Sequence, residues 1–177
     1  VTLKFSLIET PLQMLIGIII SAIIAKNNFF NRCVRSIYFL PVITSAVTVG
    51  IMWQMLLHSN VGLFTWWLQI LGFGKINLLN DPNTALYAVI GVSLWRSFGI
   101  STIILVSAIQ NVPIDYYEAA ELDGASKIRQ FFSITLPDIM PAVWFLLMTR
   151  IIGSLQVFDI IYTLTNGGPN KSTNTLV

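Results

Sequence analysis

The sequence predicts an all-α protein, a polytopic bundle of about four membrane-spanning helices. Of its 177 residues, 55% are apolar and only 10% are charged, against about 25% charged in soluble domains. Mean hydropathy is +0.75. The apolar residues also gather into four stretches, each near the roughly 20 residues that cross a bilayer as a helix. A soluble domain of this size has too little interior to hide so much apolar surface. The same figures exclude a disordered chain, a collagen-like chain and a disulfide scaffold. A net charge of +2 leaves no electrostatic footprint for nucleic acid. The single cysteine, Cys33, allows no intrachain disulfide.

The first span is expected over residues 6–25, with no charge from Leu12 to Ala25. It is not a signal peptide: it lacks a basic leader, carries Glu9 and Pro11, and has no small-residue cleavage site. The second is expected over residues 37–57, uncharged throughout. The third, residues 85–110, is broken by one charge, Arg96; the fourth, residues 139–164, by Arg150 and Asp159. Between them lie a short basic loop (26–36), a near-neutral loop (58–84) and a loop rich in acids (111–138), with a polar tail (165–177).

With four spans, alternate loops share a side of the membrane. The first and third loops carry five Lys/Arg, and the start, second loop and tail carry three. Basic loops stay in the cytoplasm, so the first and third are expected there. The chain reads as one transmembrane domain over 1–177. It starts without Met beside a span and stops in a polar stretch, so an internal piece of a longer membrane protein, truncated at both ends, is expected.

The loop at 111–138 carries the most information. Pro113 suits a first helical turn, Asp115 and Glu118 suit the positive end of a helix dipole, and Gly124 supplies a left-handed stop. A second helix is expected over 125–135, with Ile128, Phe131, Phe132 and Leu136 at helical spacing. Pro137 is expected to end it and to hold Leu136 extended. The result is a helix–turn–helix bracket outside the bilayer. It reads either as a solvated surface hairpin or as a docking element, because Ala119 and Ala120 admit a partner's backbone while Glu118 and Asp123 can accept hydrogen bonds.

These residues resemble a known family. Glu118-Ala119-Ala120, Asp123-Gly124-Ala125, then Phe132, Ile134, Leu136-Pro137 and Pro141 match the EAA signature of ABC importer permeases. Residues 105–113 (LVSAIQNVP) and 157–173 (VFDIIYTLTNGGPNKST) look like carbohydrate permeases of the maltose, lactose and glycerol-3-phosphate type, and TNGGP like the maltose-permease "F" subunit. The resemblance covers most of the chain and implies a type I importer permease (MetI-like) fold. It implies that Glu118, Ala119, Ala120, Asp123, Gly124 and Ala125 contact a cytoplasmic ABC ATPase dimer. It further implies a second homologous permease subunit, an extracytoplasmic solute-binding protein, a carbohydrate substrate, and residence in the cell membrane of a prokaryote.

Other signals carry less. Gly167-Gly168-Pro169-Asn170-Lys171-Ser172-Thr173 looks superficially like a phosphate loop, but Thr165 and Asn170 stand where that motif needs glycine. No ATP site, cofactor or metal is expected in this chain, and no catalytic residue: one histidine, His58, cannot complete a nucleophilic set or metal site. The glycines are expected to form a tight turn. Residues 61–79, with Trp66, Trp67 and the turn Gly72-Phe73-Gly74, read as an interfacial helix or as a docking surface for a substrate-delivery protein.

Arg96 and Arg150 sit near mid-span, where a charge costs about 2.5–3.5 kcal/mol on insertion scales. They are candidates to line a translocation path, together with Ser93, Ser97, Ser154 and Gln156. The competing reading pairs each arginine with a carboxylate such as Asp159, or with a backbone carbonyl. The expected function is one permease half of an ATP-driven sugar importer. Alternatives are uptake of another solute through the same architecture, or an ion-coupled secondary transporter, whose buried carboxylates and inverted repeats are not evident.

Overall fold

The computed structural model describes residues 1–72, 74 and 77–176. Ten α-helices and one π-helical turn run along the described residues. Helix α1 (Thr2–Ile24) and helix α5 (Ala85–Gln110) are each long and apolar enough to cross a membrane. The run 85–110 is the one predicted, whereas α1 begins four residues before the expected Ser6.

The second stretch is two helices rather than one. α2 (Phe29–Ile43) and α3 (Ala46–Leu56) meet at 98°. Thr44 and Ser45 are extended there, with ψ of 140° and 137°, and the Thr44 hydroxyl donates to Leu40 O at 3.0 Å. That hydroxyl occupies the carbonyl in the last turn of α2. The basic loop also shrinks, because α2 starts at Phe29. Asn28 caps it, accepting from the Asn31 amide at 2.8 Å, as a short polar N-cap does.

α4 (Leu63–Ile70) follows, with Trp66 and Trp67 exposed. In the expected turn, Gly72 and Gly74 have positive φ; Phe73 lies outside the described residues. The bracket comprises α6 (Ile114–Leu122), α7 (Lys127–Gln130), the π-turn Phe131–Thr135 and α8 (Leu136–Asp138). Pro137 does not end the helix. Leu136 is helical (φ −64°, ψ −45°), its amide bonding Phe131 O. The wider π-turn shifts the hydrogen-bond register ahead of the proline, which relieves the clash that Pro137 would cause in a regular α-helix.

The fourth stretch is α9 (Met140–Leu155) and α10 (Asp159–Thr165), separated at residues 156–158. α9 bends 65° from the run Lys127–Asp138. With each bent pair counted as one span, α2 with α3 and that run with α9 bring the crossings to four.

α1 packs on α5 and α9, α2 on α5, and α3 on α10. Two contacts mark the ends of the bundle. At one end, Leu176 N donates to Thr2 Oγ1 at 2.9 Å, tying the tail to the start. At the other, Gln110 Nε2 donates to Ala25 O at 2.7 Å, tying the end of α5 to the end of α1, where the third and first loops begin. The first and third loops thus share one end, as alternation of four spans requires.

Candidate functional site

α1 is built inside out. Ser6, Glu9, Thr10, Gln13 and Ser21 are buried, whereas Leu3 and Leu7 are 68% and 74% exposed. The polar positions recur at three to four residues, so they share one helix face. That face looks onto α9 and α5: Ser6 Oγ lies 2.6 Å from Ser154 Oγ, and Gln13 Nε2 donates to Ser101 Oγ at 3.2 Å. Where lipid is the solvent, apolar residues turn outward and polar ones bind helices together.

Along this seam, where α9 gives way to α10, lies a cavity of about 250 Å³. Broken helices at membrane depth are tolerated where they line such a space. All six predicted path residues line it: Ser93, Arg96, Ser97, Arg150, Ser154 and Gln156. α5 supplies the first three, α9 the next two, and the break supplies Gln156. Arg150 Nη2 donates to Ser97 O at 3.4 Å. A backbone carbonyl is one of the partners expected of it, and Arg150 lines the cavity as well. The Nε atoms of both Arg96 and Arg150 are shielded from solvent without a hydrogen-bond partner.

Sequence reasoning missed Glu9 as a site residue. It is 4% exposed, lines the cavity, and accepts from Ser93 Oγ at 3.4 Å. The signal was present: an ionisable group inside a spanning helix is a functional candidate by default. It also corrects the view that no buried carboxylate is evident. Asp159, considered only as a pairing partner, opens α10 and lines the same cavity.

At the opposite end, Gly124 has φ +73°. Ala125 N bonds Ala120 O at 2.9 Å and Gly124 N bonds Glu121 O at 3.0 Å, the two bonds of a Schellman stop. Ser126 then caps α7, accepting from Arg129 N. Glu118, Ala119, Asp123 and Gly124 are exposed, and Ala120 and Ala125 half-buried. No residue of α6 is buried. Tyr117 OH meets Thr135 Oγ1 at 2.8 Å, joining α6 to the π-turn. The Lys127 ammonium beside Glu121 holds that carboxyl below the usual carboxylate range. After α10, the glycine-rich run is the expected turn: Gly167 has φ +79°, and Thr173 Oγ1 donates to Gly168 O at 2.8 Å.

Residues 13–176 match the family described as binding-protein-dependent transport system inner membrane component. The chain belongs to this family. Members are transport components rather than enzymes. Among relatives, the trehalose/maltose transport system permease protein MalF of Thermococcus litoralis is 35% identical over 176 residues, 99% of this chain and 60% of that protein. The sn-glycerol-3-phosphate transport system permease protein UgpA of Pectobacterium atrosepticum is 30% identical over 177 residues, with 99% and 60% covered. A crystal structure of a bacterial ABC transporter involved in import of the acidic polysaccharide alginate superposes with TM-score 0.83 at 26% identity, over 96% of this chain and 61% of that one. The fold is therefore the MetI-like fold of ABC importer permeases, in a membrane protein. The chain spans about 60% of the length of these relatives.

Proposed function

We propose that this chain acts within the permease of an ATP-driven, binding-protein-dependent sugar importer in the cell membrane of a prokaryote. In this reading it forms half of a translocation path with a second permease subunit. A solute-binding protein delivers the sugar from outside. ATP is consumed by a cytoplasmic ATPase dimer, and no cofactor is bound by this chain.

One observation carries the reading. The charged cavity and the exposed bracket lie toward opposite ends of the bundle, and α9 leads from one toward the other. Arg150, Ser154 and Gln156 sit at the cavity end of α9; Met140 begins it next to the π-turn and bracket. A push on Glu118, Ala119, Ala120, Asp123, Gly124 or Ala125 has a continuous route, through the π-turn and α9, to the residues that would grip a sugar. Ser93, Ser97, Ser154 and Gln156 supply hydroxyl and amide partners for a polyhydroxylated ligand, and Arg96 and Arg150 supply charged donors. Related proteins are named for neutral sugars and for a sugar acid or phosphate alike, so the family leaves the charge of the substrate open.

The test is ATP-driven uptake by the assembled importer in proteoliposomes. Glu118→Lys and Gly124→Asp are expected to abolish uptake while leaving the protein in the membrane. Arg96→Gln and Arg150→Gln are expected to alter rate or selectivity. Unchanged uptake in the bracket variants refutes the coupling role, and unchanged uptake in the arginine variants refutes the path.

A further inference from the structure

We propose that Glu9 sets the substrate class of the cavity: by offsetting Arg150 it makes this a site for an uncharged polyhydroxylated sugar rather than for a sugar acid or sugar phosphate. The inference rests on the transport reading above and narrows it.

Two arginines alone would make the cavity an anion trap. The cavity holds two carboxylates as well, Glu9 from α1 and Asp159 at the start of α10. Glu9 is 4% exposed and opens onto the cavity. It lines the same cavity as Arg150 and Ser97 and accepts from Ser93 Oγ at 3.4 Å. It is not locked in a direct ion pair: among the described residues the ion pair within contact distance is Lys127–Glu121, at the far end of the protein. The carboxylate and the guanidinium therefore stand apart on the cavity wall, each with capacity left over. A carboxylate has about four acceptor sites, and Arg150 Nε is unpartnered.

This arrangement favours one ligand chemistry. A sugar hydroxyl both donates and accepts, so a neutral polyol can donate to Glu9 and accept from Arg150 or Arg96 at once. Charge-assisted hydrogen bonds of that kind are the stronger ones. A phosphate or carboxylate gains from the arginines but meets two carboxylates, the enclosed Glu9 and the exposed Asp159, and like charges repel. It also sheds a costly hydration shell on entry.

The test is a ligand-observed NMR titration of the assembled importer in lipid nanodiscs with matched pairs: trehalose and trehalose 6-phosphate, maltose and maltose 1-phosphate, glycerol and glycerol 3-phosphate. For at least one pair the unmodified protein is expected to bind the neutral member about tenfold or more tightly. Glu9→Gln, similar in shape and still able to bond Ser93, is expected to lower that ratio by about tenfold, and Glu9→Asp to preserve it. If Glu9→Gln does not assemble, Arg150→Gln decides: it is expected to widen the preference for the neutral member. Preference for the phosphate in the unmodified protein overturns the inference, as does a ratio untouched by these variants. Binding of none of the six compounds overturns the transport reading itself, and the inference falls with it.

Discussion

The backbone at Gly99 lies against the carbonyl of Tyr38: a methyl group on Gly99 would sit 2.1 Å from Tyr38 O. α2 and α5 approach this closely because Gly99 has no side chain, the small-residue packing typical of helices in lipid. Gly99→Ala is expected to force the helices apart and to cost about 1–3 kcal/mol. Gly91→Ala, on the same helix with nothing within 4 Å of the new methyl, is the matched control. Thermal unfolding of the two variants in detergent checks this; equal midpoints would argue against the close approach.

Gly124 presents the opposite case. A methyl there meets nothing within 4 Å, yet φ is +73°. The cost of Gly124→Ala is therefore confined to the backbone, about 1–2 kcal/mol. Gly124→Asn is expected to be milder, since Asn tolerates the left-handed region. Hydrogen exchange of the Gly124 and Ala125 amides, which close the stop, is expected to rise in the order Gly, Asn, Ala.

The Glu121–Lys127 pair gives the bracket a modest acid sensitivity. The carboxyl of Glu121 is depressed by Lys127. A depressed carboxyl contributes order above its unfolded pKa and loses it as pH falls through the folded value. Amide protection over 114–130 is therefore expected to hold at neutral pH and to decline in acid, below the ordinary carboxylate range. Both side chains are largely exposed, at 78% for Lys127 and 56% for Glu121, so salt is expected to weaken the effect. Lys127→Met is expected to remove this part of the acid dependence.

Tyr117→Phe deletes the hydroxyl that meets Thr135 at 2.8 Å. One such bond contributes about 1 kcal/mol net, so the fold is expected to survive. Because the bond joins α6 to the π-turn leading into α9, uptake per ATP hydrolysed is expected to fall more than ATP hydrolysis itself. Equal falls in both would leave Tyr117 a purely structural residue.

Ser154→Ala removes a partner of Ser6 and Thr10. Interhelical hydrogen bonds in membranes average about 0.6 kcal/mol, so the unfolding midpoint is expected to move little. Ser154→Leu, which fills the seam beside the cavity, is expected to cost far more in both stability and uptake.

Where each feature is held in place decides how legible it is. The Gly124 stop could be read because a Schellman motif involves six neighbouring residues. The span Ala85–Gln110 could be read because its apolar run is long and bounded. The six cavity residues could be read because polar groups inside apolar runs have few explanations. The break at Thr44–Ser45 could not, because distant packing helps to hold α3 in place: a methyl on Gly50 would meet Thr163 Oγ1 of α10 at 1.8 Å. Pro137 misled because its usual effect assumes regular α-helical register, and the π-turn alters that register. Glu9 was legible as an ionisable group inside a span but sits near the helix start, where a charge passes for a flank; its enclosure comes from the packing of α1 on α5 and α9.

The inside-out build of α1 bears on how the protein is made. Ser21 bonds Ile18 O within α1, but Ser6, Glu9 and Gln13 find their partners elsewhere: Ser154 lies on α9, and Ser93 and Ser101 on α5. The ribosome produces both partners well after α1 has emerged. Until they arrive, a carboxylate and several hydroxyls face lipid or whatever machinery shelters the nascent helix. A chain arrested before α5 would leave Glu9 with neither Ser93 nor Arg150 to meet it, a ready mark for quality-control proteases to recognise.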